Sequence, residues 1–166
     1  MRRRTSSPTA NSRWLAMSLS AILSAPHPAF PKSPNVHTGP GPADLFSIRF
    51  DEMFQSEAHG YICGREVDRE ELKNALLGLH TRWDPEDATA IGTVVRAAPN
   101  PMFLDRRCSA CQPTMSAKLE FTPLFRYPRE VETIMAEASG QEFGGSERIE
   151  CLRMDGDESL FRPESL

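Results

Sequence analysis

The chain reads as a single α+β domain in which a curved antiparallel sheet wraps around helices. Three observations carry that reading. Asp68 to Leu79 has a capped start and one apolar stripe, Met115 to Phe121 alternates cleanly between apolar and polar, and no internal repeat interrupts the order of elements. Helices and strands that do not alternate regularly point to α+β rather than to a parallel α/β sheet.

The composition divides the chain near residue 43. Residues 1–43 hold no Asp or Glu, carry a formal charge of +5 from Arg2, Arg3, Arg4, Arg13 and Lys32, and contain seven of the fourteen prolines. The remainder carries −9 of the overall −4 balance. That asymmetry predicts a basic, proline-rich leader (1–43), a folded body (44–155) and a polar tail (156–166). A body of about 120 residues is an ordinary domain size that needs no disulfides. Within the leader, Trp14 to Ala25 (WLAMSLSAILSA) is a mostly apolar run behind arginines. It has the length of a signal-peptide core and is too short to span a bilayer. The same stretch, Arg- and Ser-rich and acid-free, also reads as a mitochondrial presequence or as a plain disordered tail. The alternatives therefore leave the compartment open. Prolines 26, 28, 31, 34, 40 and 42 make the following stretch an extended linker.

The elements of the body follow in order. Ala43 to Phe54 spaces Leu45, Phe46, Phe50, Met53 and Phe54 as a short helix with Asp44 as its cap. His59 to Val67 is a strand in which Gly64 marks a turn or a bulge. Asp68 opens the clearest helix: its carboxylate can accept a first-turn N–H, and Glu71 stands where a capping box needs an acid. Leu72, Ala75, Leu76 and Leu79 form its buried stripe, and Asp84-Pro85 stops it after Trp83. Ala88 to Ala98 is Thr-, Ile- and Val-rich and reads as a strand ended by Pro99-Asn100-Pro101. Cys108 to Phe121 is a second strand region, broken or bulged at Pro113, with Met115, Ala117, Leu119 and Phe121 on its buried face. Arg129 to Ser139 spaces Val131, Ile134, Met135 and Ala138 as a helix that Gly140 would end, with Glu130, Glu132 and Glu137 on its solvated side. Glu147 to Met154 closes the sheet as a strand.

At the level of this order, Phe50 to Leu79 (FDEMFQSEAHGYICGREVDREELKNALLGL) resembles the front of SnoaL-like proteins of the NTF2-like superfamily. The VVRAAP strand end, MSAKLEF and ERIECLRM resemble the later strands of fungal proteins of that type. The resemblance spans residues 44–155 and implies a cone in which a bent sheet encloses helices and leaves a pocket. In various members that pocket binds small apolar ligands, catalyses isomerisation, cyclisation or dehydration, or is replaced by dimer assembly, so fold does not select a function. One departure stands out. The ground of the usual long first helix is occupied by the proline-rich stretch, leaving only Ala43–Phe54, helped by Trp14–Ser24, to supply it.

Candidate chemistry is sparse. His59, Tyr61 and Cys63 sit on one strand, and His59 near Glu57 or Asp51 could act as a general base beside a carbonyl. Tyr61, Cys63, Met115 and Leu119 are the expected pocket lining. The plainer reading makes His59 a surface residue and Tyr61 a core edge. Cys108 and Cys111 (CSAC) have the spacing of half a zinc site, with His59 and Cys63 as the nearest further ligands, or of an exchangeable disulfide. Residues three apart on a strand point to opposite faces, which favours two unrelated cysteines. His80 sits at a helix C-terminus, where the dipole explains it, and Asp84 and Asp87 flank a turn. There is no GxSxG, Walker loop or HExxH. No cofactor is expected. The acidic body argues against nucleic acid as a partner. The reading that results is a non-catalytic domain for small-molecule binding or dimerisation through its sheet face. A lyase or isomerase using His59, or a zinc-stapled interaction domain, are the alternatives.

Overall fold

A computed structural model describes residues 8–26, 44–93, 114–143 and 146–162. In chain order the elements are α1 (Pro8–Leu23), α2 (Leu45–Met53), β1 (Phe54–Ile62), β2 (Arg65–Val67), α3 (Arg69–Arg82), β3 (Thr89–Thr93), β4 (Met115–Phe121), β5 (Glu132–Phe143), β6 (Ser146–Asp155) and a one-turn 3-10 helix, Glu158–Phe161. The six strands form one sheet in the order β2-β1-β6-β5-β4-β3. Neighbours are antiparallel except β1 and β6, which run parallel. Register shifts between Phe54 and His59 on β1, and between Ser139 and Gly140 on β5, bend the sheet, as inserted residues do. The result is the curved α+β architecture expected from the sequence.

The helices pack on one face of this sheet. In β4 the inward residues Met115, Ala117, Leu119 and Phe121 are all buried, and in β5 Ile134, Ala136 and Ala138 face the same way. α3 forms as its sequence dictates. Glu71 N–H donates to Asp68 Oδ1 at 2.8 Å and Asp68 N–H donates to Glu71 Oε2 at 3.0 Å, closing the capping box. Leu72, Leu76 and Leu79 are sealed against the sheet. Gly78 does more than weaken the last turn. A Cβ there would lie 2.7 Å from Phe161 O, so its absence lets the 3-10 turn cross the helix. α2 is capped by Asp44, whose Oδ1 accepts from Ser47 N–H at 3.0 Å, and it buries Phe46, Phe50 and Met53. Arg69 fastens α2 to α3: its guanidinium lies 4.8 Å from the Phe50 ring and donates to Asp51 at 2.8 Å.

Three expectations are corrected. First, residues 129–139 are not helical; β5 begins at Glu132 and runs through the rest of them. Glu132 pairs with Phe121 at one end and Phe143 with Ser146 at the other, so β5 is held between β4 and β6. β-branched Thr133 and Ile134 suit that half-buried position, and the helical spacing of Val131, Ile134, Met135 and Ala138 loses to pairing on both sides. Second, the apolar run in the region read as a leader is α1, a core helix. Leu15, Leu19, Ile22 and Leu23 have no exposed surface, and they join the same cluster as Phe46, Leu79 and Leu119. α1 comes close enough to β3 that a Cβ on Gly92 would lie 2.7 Å from Arg13 N. Ser116 N–H donates to Ser12 Oγ at 3.1 Å, Trp83 Nε1–H to Ser24 Oγ at 3.2 Å, and His80 Nε2 lies 2.5 Å from Ala25 O. A carbonyl only accepts, so Nε2 carries the His80 proton. The composition break at residue 43 is therefore not an edge of the core, and α1 with α2 supplies the first-helix ground. Third, the expected polar tail includes the 3-10 turn, which starts on Asp157 and buries Leu160 and Phe161.

Candidate functional site

The sheet has a second face, opposite the helices, and register defines it. Across the strands, Ile91, Lys118, Met135 and Asp155 lie in one row. Thr93, Ser116, Glu137, Arg153, Tyr61 and Glu66 lie in the next. Among the described residues no helix covers this outer face. Its chemistry divides along the sheet. Toward β3 and the start of β5 it exposes two apolar side chains, Ile91 at 56% and Met135 at 40%, with Lys118 of β4 between them. Ile91 and Met135 are two strands apart, about 10 Å, and flank the Lys118 stem in one row. Toward β6 and β1 it is polar and half-buried, with Arg153 beside Asp155 at 3.5 Å. Lys118 and Glu120 form a second ion pair on β4.

The residues singled out from sequence do not converge. His59 and Tyr61 alternate with buried Ala58, Gly60 and Ile62, which places both on the outer face with their rings 6.4 Å apart, edge to face. His59 sits opposite Cys151 of β6. Asp51, one proposed partner for His59, is on α2 and engages Arg69. Cys63 has left the strand: with φ 51° it forms the β1–β2 turn with Gly64, and its Sγ donates to Gly156 O at 3.2 Å. Met115 and Leu119 lie on the other side of the sheet. They have no surface that a water molecule can touch, so no water-sized space adjoins them. Trp83 and Phe121, with ring centroids 5.2 Å apart, occupy the same interior. Cys108 and Cys111 lie outside the described residues. Among the described residues no three His, Cys, Asp or Glu side chains are grouped to hold a metal ion, and no helix is long and apolar enough to cross a membrane.

A cleft opens elsewhere, between the end of β1, the first half of α3 and the 3-10 turn. It encloses about 190 Å³ over Ile62, Ala75 and Phe161. Pockets for drug-sized ligands are larger, about 300–1,000 Å³. The connection from β4 to β5, residues 122–131, is the other conspicuous surface. Phe125 is 85% exposed and Tyr127 95%, although the flanks of the loop are firmly tied down. Arg126 donates to Glu132 Oε1 at 3.0 Å and to Asp157 Oδ2 at 2.8 Å. Asp157 is held at a pKa of about 2 by its hydrogen bonds from Ser159 and Arg126. Thr122 donates to Asp87 and holds its carboxyl below the usual carboxylate range.

No protein-family model and no curated protein matches the chain. Among solved structures it is similar to Mtr2 of Candida albicans, with a TM-score of 0.50 and 11% identity over 95% of this chain and 99% of that one. A chain of the C. albicans Mtr2–Mex67 M domain complex is similar at a TM-score of 0.48 and 10% identity, with the same shares covered. At such identity the likeness defines a fold alone. The class so defined is the NTF2-like α+β fold, an unclosed curved sheet packed against helices.

Proposed function

We propose that this is a non-catalytic protein-association domain that uses the outer face of its sheet. The observation that carries the reading is the contrast between the two faces. The helix-covered side is filled by Trp83, Phe121, Met115 and Leu119, whereas the other side leaves Ile91 and Met135 exposed on either side of Lys118. Exposed apolar side chains set among ion-paired ones match the mixed composition of non-obligate protein interfaces. Small-molecule binding behind the sheet would need space that the 0% exposures of Met115 and Leu119 do not offer. A lyase or isomerase reaction at His59 would have to take place on the outer face, apart from the enclosed interior.

The test is site-directed photocrosslinking with the full chain in its native cells. A photoreactive residue at 135 should give a discrete protein adduct, and one at the exposed α2 position 52 should not. Co-purification of the adducted protein should then be lost on Met135→Asp. Indistinguishable adduct patterns from 135 and 52 would end the proposal.

A further inference from the structure

We infer that the chain carries a second association device, separate from the outer sheet face: Tyr127 is a knob that seats in the cleft over Ile62, Ala75 and Phe161 of a second copy of this chain. The knob is held ready. Leu124 N–H donates to Arg82 O at 2.9 Å and Arg126 is clamped between Glu132 and Asp157, so the residues flanking the aromatics are tied to α3, β5 and the 3-10 turn. The same clamp draws the Arg126 side chain along the surface toward Glu132 and Asp157 and leaves Phe125 and Tyr127 outward. Phe125 holds φ 62°, a left-handed conformation that bulky residues rarely adopt. Strained backbone that displays two aromatic rings to water gains nothing within one copy, and outliers of this kind gather at binding sites.

The cleft matches the knob in size and chemistry. Its 190 Å³ suits one aromatic ring rather than a larger ligand. Ile62, Ala75 and Phe161 give an apolar floor for the ring. The rim is polar. Asn74 can bond the phenol, and Arg65 with Glu71, and Arg162 with Glu158, form exposed ion pairs around it. An arginine at such a rim can also stack on the incoming ring face. Tyr is the residue type suited to this environment, since it buries its body and keeps its tip wet. The contact joins different surfaces of the two copies, so it builds either a closed dimer or a longer chain of copies.

Sedimentation velocity of the full chain, from micromolar to hundreds of micromolar, reads the outcome. Concentration-dependent association is expected. Tyr127→Ser should weaken it at least about tenfold, as loss of an interface anchor does. Asn74→Trp, which fills the cleft from an exposed position, should weaken it to a similar degree, and the double variant should be no weaker than either alone. Both positions are exposed, and unchanged melting temperatures will confirm that the variants fold. A monomer at every concentration overturns the inference, whether or not the loop then binds a lipid vesicle or another protein. So does association that survives Tyr127→Ser, or that only Met135→Asp removes, which would place the contact on the outer sheet face.

Discussion

Beginning the chain at residue 44 would remove α1 from the sheet, and the structure sets the scale of the effect. Leu15, Leu19, Ile22 and Leu23 each have 0% exposure. At roughly 1.5–3 kcal/mol for each fully buried aliphatic side chain, their loss alone amounts to about 6–12 kcal/mol. Domains of this size have a net stability of about 5–15 kcal/mol, so the fragment 44–166 should retain almost none. The loss also strips cover from Ala117 and Leu119 on β4 and breaks the bonds that Ser24 and Ala25 make with Trp83 and His80. Far-ultraviolet circular dichroism during heating is the assay. The full chain should melt in one cooperative step, and residues 44–166 should give a shallow slope. A fragment melt just as sharp and within about 4 °C of the full chain would correspond to a loss of roughly 1 kcal/mol and would refute the placement of α1. A point variant refines the result: Leu19→Asp should mimic the deletion, whereas Met17→Asp, at a side chain 66% exposed, should leave the melt nearly unchanged.

Two further outcomes follow from single contacts. Gly92→Val should lower stability by more than about 1 kcal/mol, because its Cβ would lie 2.7 Å from the α1 backbone at Arg13 N and Ser12 C; differential scanning calorimetry reads the change. Asp157 has a folded pKa of about 2, below the unfolded value of about 3.9, so the stability it adds is complete above that unfolded value and is lost as pH falls toward about 2. With the Asp157 side chain 35% exposed, screening reduces that contribution to about 1 kcal/mol or less. Urea midpoints measured across the acid range should fall by that much more in the parent chain than in Asp157→Asn, and parallel curves would show that the carboxylate contributes nothing.

What could be read from the sequence was local. The Asp68–Glu71 box and the Leu72–Leu79 stripe specify α3 by themselves, and Met115 to Phe121 specifies both a strand and its buried face. β5 was not legible in this way. Val131, Ile134, Met135 and Ala138 fit a helix, Ile134, Ala136 and Ala138 fit a strand, and only the two neighbouring strands decide between them. The 3-10 turn was missed because Leu160 and Phe161 form an apolar pair too short to show any period, and its place depends on Gly78, far away in sequence.

The candidate interface was hidden by the same misreading. While residues 129–139 are taken for a helix, Met135 belongs to its buried stripe and is not on a sheet surface. Once β5 is a strand between β4 and β6, the alternation that sends Ile134 inward sends Met135 outward, and register brings it level with Ile91 of β3. Tyr61 and His59 obey the same parity: the sequence grouped them on one strand, but which face they share depends on where the helices lie. α1 is the clearest instance of that dependence. Its acid-free, arginine-flanked apolar run satisfies the rules for a targeting segment because those rules see composition alone. A helix that must lay four aliphatic side chains on a sheet has much the same composition, and only the opposing strands tell the two apart.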